Sequence, residues 1–245
     1  YTYISIEDSL FADDETSASD DEEFRSYLEG LRRILDMYPE GFFEHFKDKN
    51  GEGGLRIVMV GDLKTDEYSA FTPGGISYTF GSWYNIALPC YSFSEAIPDL
   101  HHEVWHNVEA LVTYRYGLDE TAWAALNPEG FEYISDYDAF GERTDLNGYT
   151  ITNAPAGVYD SAFFAAEYGL VNALEDRATI IEYLFFCNFD DSFEPVPMAY
   201  YDTLIQYPNL KKKLDLLAEW SSQEFGYVYW DEMYKKLHPY ESEAA

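Results

Sequence analysis

Five residues constrain this chain more than any other feature: His102-Glu103-Val104-Trp105-His106, an H-E-x-x-H pattern. On an α-helix residues i and i+4 lie one above the other, so His102 and His106 present two imidazoles on one face. Two such nitrogens can hold Zn²⁺, and Glu103, one residue round, can reach a water on the open side of the metal. The flanks read as helix. Pro98 suits a first turn, and Asp99 adds favourable negative charge there. Leu100, Val104, Val108 and Leu111 recur at helical spacing, and Gly117 is the expected stop. The chain holds only 5 His, and three of them, His101, His102 and His106, fall within this short stretch. The competing reading of the same letters is a surface helix that carries two histidines without a metal.

With 245 residues, the chain can bury a full core as one domain, or as one domain with a small appendage. Its hydrophobic content of 47%, with 23 Tyr and 17 Phe, suits a globular fold and excludes general disorder. No apolar run is long enough for a membrane span. The net charge of −31, from 46 acids and 15 bases, argues against nucleic-acid binding, because phosphate contacts need clustered Lys and Arg. It fits attraction of basic partners and equally a solvated acidic surface. The start, Tyr1-Thr2-Tyr3, lacks the basic flank and apolar core of a signal peptide. Cys90 and Cys187 are too few for a disulfide scaffold; one bridge and two separate buried thiols are both open.

Residues 1–23 hold nine acids and no base, and read as an acidic, flexible lead segment. Residues 24–245 read as a single catalytic domain, an upper α/β half to about 117 and a helical lower half after it. Phe24, Tyr27, Leu28, Leu31, Ile34 and Leu35 mark a helix ending near Tyr38-Pro39. Phe42, Phe43 and Phe46 form an apolar cluster. Leu55 to Val60 reads as a strand. Thr72-Pro73-Gly74-Gly75 is a turn, after which Ile76, Tyr78 and Phe80 alternate. Gly81-Ser82 breaks the run and Trp83 to Leu88 resumes it, giving a strand pair just before the metal helix. Leu170 to Leu184 reads as a long, largely buried helix. Leu204 to Trp220 and Glu224 to Leu237 read as two closing helices, and Phe225, Tyr227, Tyr229 and Trp230 as packing.

The order helix, strand, strand pair, H-E-x-x-H helix resembles the upper half of the zincin metallopeptidases. The resemblance rests on His102, Glu103, His106 and the strand before them. It implies an α+β fold, a small mixed sheet packed on the metal helix with a mainly helical C-terminal half, and an extended substrate paired along Ile76 to Leu88. The metzincin motif H-E-x-x-H-x-x-G-x-x-H is excluded, because Glu109 and Val112 stand at its Gly and third His positions. A gluzincin-type site remains, completed by an acid from a later helix. Asp119, Glu120, Glu129 and Glu132 lie nearby. Glu175 is preferred, because it sits with Asp176 on an otherwise apolar helix, where a carboxylate needs a cationic partner. Glu175-x-x-Ala178 also resembles the gluzincin ligand helix. The acid expected next in that pattern is Thr179 here, so Asp176 is the substitute for orienting a metal-bound His. An ion pair of Glu175 and Asp176 with Arg177 or another base is the alternative.

Trp123 to Tyr133 contains Leu126-Asn127-Pro128-Glu129-Gly130-Phe131-Glu132-Tyr133 and is similar to a segment of bacterial zinc metallopeptidases that are often secreted or lipid-anchored. That likeness implies a secreted or cell-surface protein. The expected cofactor is one Zn on His102, His106 and Glu175, the expected activity peptide-bond hydrolysis with Glu103 as general base. The lethal-factor-like gluzincins imply a catalytic tyrosine two turns before the metal glutamate, which is Tyr168, with Tyr159 in reserve. Peptide or protein is the expected substrate, with no nucleic acid. Two other functions stay open: a surface binding or structural protein on a zincin scaffold with an occluded site, and hydrolysis of a non-peptide amide.

Overall fold

The computed structural model describes residues 3–5, 22–60, 63, 73–89, 93–135, 149–151, 161–185, 187–189, 195–197 and 204–237. Its upper half is a four-stranded mixed sheet in the order β1-β2-β4-β3, where β1 is Tyr3–Ser5, β2 Gly54–Val60, β3 Ile76–Phe80 and β4 Trp83–Pro89. Within the lead segment, Tyr3–Ser5 thus forms a strand, parallel to β2. β2 also runs parallel to β4, with Ile57 opposite Ile86. β2 is apolar except for Arg56, which lies over the Trp83 ring, because both faces are covered. Leu55, Ile57 and Met59 enter the main core, and Val58 and Val60 a smaller cluster with Leu63 and Ala87.

β3 and β4 form the expected hairpin, Phe80 opposite Trp83 and Ile76 opposite Ala87. The two-residue turn between them starts with Gly81 at φ 61°, the left-handed geometry that such hairpins favour at this position. Among the described residues β3 has a strand neighbour on one side only.

One core of buried side chains runs from α1 (Glu22–Leu35) through α2 (Phe93–Tyr116) to the last helices. The helical spacing of Leu100, Val104, Val108 and Leu111 does what it predicts: all four are buried, 0–1% exposed. Gly117, at φ 77°, ends α2 as expected. The start of α2 differs from the sequence reading, because the helix begins at Phe93, five residues before Pro98. Pro98 thus lies past the first turn, where it leaves the Ser94 carbonyl without its helical donor, and the helix nevertheless continues through it. The short α3 (Glu120–Ala124) follows, capped by the Asp119 carboxylate on the amides of Thr121 and Ala122.

The reading of a continuous helix from Leu170 is corrected. A 3₁₀ turn, Glu167–Leu170, is followed by a break, and α4 is Ala173–Phe185. Asn172 causes the break: its side chain accepts from the amides of Leu174 and Glu175 (2.9 and 3.0 Å), a helix N-cap. The closing helices are α5 (Pro208–Phe225) and α6 (Tyr229–Leu237). α5 starts at Pro208, pre-set for a first turn, and stops at Gly226, φ 72°, which moves both expected boundaries by a few residues. Phe225, Tyr229 and Trp230 are core residues, as expected. Among the described residues no helix is long and apolar enough to cross a membrane. Cys90, the side chain of Cys187 and Tyr159 lie outside what the structure describes.

Candidate metal centre

Two helices build the site. α2 carries His102 and His106 one turn apart, their ring centroids 4.7 Å from each other. α4 crosses behind them and delivers Glu175, whose Oε2 lies 2.8 Å from His102 Nε2 and 3.3 Å from His106 Nε2. These three form a group that can hold a metal ion. The donors fit a tetrahedral ion in number and spacing, since ligands at about 2.0–2.1 Å from zinc lie about 3.3 Å from one another. The His106–Glu175 separation already has that value. The Glu175 side chain belongs to the third residue after the Asn172 cap, where the helix dipole favours negative charge. Burial disfavours charge on His102, but the hydrogen bonds it donates to Glu175 and Glu182 outweigh it and hold its pKa well above the usual histidine value. Burial likewise opposes the Glu175 carboxylate, and its bonds to His102 and His106 hold its pKa well below the usual range.

The orienting residue is Glu182, not Asp176. Glu182 Oε2 lies 3.0 Å from His102 Nδ1, seven residues after Glu175 and thus on the same face of α4. A carboxylate on the far ring nitrogen fixes the tautomer and leaves Nε2 free for a metal. Thr179, where a gluzincin-like pattern expects this acid, is buried with its hydroxyl unpaired. The i+7 spacing of two acids on a buried helix is the sequence signal for Glu182.

Asp176 instead accepts from Lys213 Nζ at 2.7 Å and from Tyr133 Oη at 2.9 Å, with Asp176 and Lys213 both fully buried. Tyr133 in turn accepts from Trp123 Nε1 and Asn127 Nδ2 at 3.1 and 3.0 Å. Trp123, Asn127 and Tyr133 therefore tie this segment to the first turn of α4 through the buried Asp176. Arg177 pairs with neither Glu175 nor Asp176. It donates two bonds to Glu109, 2.6 and 2.9 Å, and two to Glu120, 3.0 and 3.1 Å. Three consecutive charged residues thus point to three separate partners: histidines, a lysine and two glutamates. Glu120 is spoken for, and Val112 packs in the core.

Glu103 is 6% exposed, and its Oε2 has no hydrogen-bond partner among the described residues. Its backbone carbonyl accepts from Ser77 Oγ (2.8 Å) and Asn107 Nδ2 (3.0 Å), which ties β3 to α2 beside the site. Gly75 is needed here: a Cβ would come within 2.6 Å of Glu103 Cγ. Tyr168 lies in the 3₁₀ turn and not on the helix of Glu175, so the shared-face argument for it fails. The turn still carries it to the site, its ring 5.8 Å from that of His102. His101 points elsewhere. It is fully buried, bonded through Nδ1 to Tyr38 Oη at 2.8 Å, and burial lowers its pKa to about 3.

The arrangement can bind a divalent ion through two nitrogens and a carboxylate, with Glu103 alongside. No protein-family model matches the chain, no curated protein matches it, and no solved structure matches its fold.

Proposed function

We propose that the chain is a zinc-dependent peptidase with a zincin-like, gluzincin-type site. The observation that carries this reading is the convergence of His102, His106 and Glu175 beside a buried carboxylate, Glu103, with an unpaired oxygen. A buried carboxylate oxygen without a donor is costly unless the site's chemistry uses it. His102, His106 and Glu175 would hold the zinc, which when bound supplies a Lewis acid and a water of near-neutral pKa.

Glu103 is the general base. Its free Oε2 takes a proton during attack on the peptide carbonyl and returns it to the leaving amine. Glu182 keeps His102 in one tautomer through Nδ1. Tyr168, beside the His102 ring, is the donor for the oxyanion. The edge strand β3, starting next to Glu103, is the pairing partner for an extended substrate.

Glu103→Gln tests the assignment. It should keep the fold and stoichiometric zinc, and lower cleavage of a diverse peptide library by about 10²-fold or more. Wild-type protein that is zinc-loaded and cleaves nothing would replace this reading with the scaffold one.

A further inference from the structure

α2 and β3 continue together past the candidate metal centre and line a cleft of about 550 Å³. That volume lies within the range of sites that take a small ligand or a large side chain with its backbone. Phe46, Trp83, Tyr84, Ala110 and Tyr114 supply its apolar walls, and Thr79 of β3 its rim. Tyr114 is 85% exposed, so a large aromatic ring stands open to solvent at the mouth.

The charges around this cleft are engaged elsewhere. Lys47 Nζ is 2.6 Å from Glu44. The Asp48 carboxylate accepts from the amides of Asn50 and Glu52, both at 2.8 Å. Arg115 donates to Glu224 and to the carbonyls of His45 and Lys47. What the cleft offers a ligand is therefore aromatic surface with polar groups beside it.

Its position relative to the metal centre gives the occupant. In a two-residue hairpin the residues flanking the turn, Phe80 and Trp83, exchange backbone hydrogen bonds, and the pattern alternates from there. Phe80, Tyr78 and Ile76 thus bond towards β4, while Ser77 and Thr79 present their backbone groups to the open edge. Thr79 is exposed. Ala110 and Tyr114 lie one and two turns past His106, about 6 and 12 Å along the helix axis. An extended chain advances about 3.3 Å per residue, so a peptide paired on Ser77 and Thr79 reaches the cleft about three residues from the metal centre.

We infer that this cleft is a specificity subsite for an aromatic side chain of an extended peptide, placed about three or four residues from the bond at the metal centre. The inference rests on the peptidase reading for the word substrate, but not for binding. The test uses fluorescein-labelled decapeptides in which one Trp is moved through an alanine-serine backbone. Zinc-loaded wild type should cleave best when Trp stands three or four residues from the cut. Ala110→Trp, a surface change that fills the cleft, should lower kcat/KM for those peptides by about tenfold or more. Peptides with alanine at that place should be cut within about twofold of wild type, which also shows that the variant folds. A wild type indifferent to Trp there, or an Ala110→Trp variant that keeps the preference, overturns the inference. If wild type cleaves nothing, the peptidase reading falls and anisotropy of the same peptides decides the subsite. Trp-dependent binding lost in Ala110→Trp upholds it; equal binding of Trp and alanine peptides, or no binding, overturns it as well.

Discussion

His102 sits between two carboxylates, Glu175 on Nε2 and Glu182 on Nδ1. Metal-free, it is held protonated by them well above the ordinary histidine pKa. A metal needs the neutral ring, so binding must expel that proton. The sign follows: zinc affinity rises with pH through neutrality. Calorimetry in buffers of different ionisation enthalpy should show a proton released per zinc at pH 7. Binding without proton release would mean that His102 is not a ligand. Glu182 acts on the same ring from the other side. Glu182→Gln should weaken zinc by about 10–100-fold, the usual loss for a group that orients a ligand. An unchanged affinity would remove Glu182 from the site.

At the scale of elements, α4 decides whether the site forms, and its first turn is fixed by Asp176–Lys213 and by the Trp123–Tyr133 segment. Lys213→Met leaves Asp176 buried without its cation, and removing one partner of such a pair costs about 3–5 kcal/mol. Thermal and denaturant unfolding should show this loss, whereas Glu120→Ala, a partner of Arg177 that is exposed, should cost about 1 kcal/mol or less and leave zinc affinity unchanged. Equal effects of the two substitutions would contradict the account of a buried tie. The same helix shows what the sequence could reveal. His102 and His106 were legible from their i, i+4 spacing, and Glu175 because an acid on a buried helix demands a cationic partner. The β3–β4 hairpin was legible from alternation and the Gly81-Ser82 break. The roles of Asp176 and Glu182 were not, because each depends on which residue of a distant helix or turn lies opposite: Lys213 from α5, Tyr133 from a turn, His102 from α2. The break at Asn172 was missed because Leu170 and Val171 continue the apolar run. Asn172 is itself a cap residue and was the cue.

For the whole molecule, 46 acids against 15 bases leave few cations, and two of them, Arg177 and Lys213, are buried against the acids that frame the metal centre. His101 adds a second pH dependence. Its pKa is lowered by burial to about 3, against about 6.5 in the unfolded chain. Below 6.5 the unfolded state binds the proton and the folded state does not, so stability falls as pH drops from 6.5 towards 3. Between pH 6.5 and 5 this group alone should cost about 2 kcal/mol. Denaturant unfolding at pH 7 and 5 should show that much more acid loss in wild type than in His101→Gln. Identical pH profiles would place His101 in solvent contact. The centre of the account is tested most directly by zinc stoichiometry read with X-ray absorption on wild type and Glu175→Ala. The expected result is one zinc per chain in wild type, bound by two imidazoles and a carboxylate, and affinity weakened by orders of magnitude in Glu175→Ala. Zinc held equally well without Glu175, or no zinc in the repleted wild type, would contradict it.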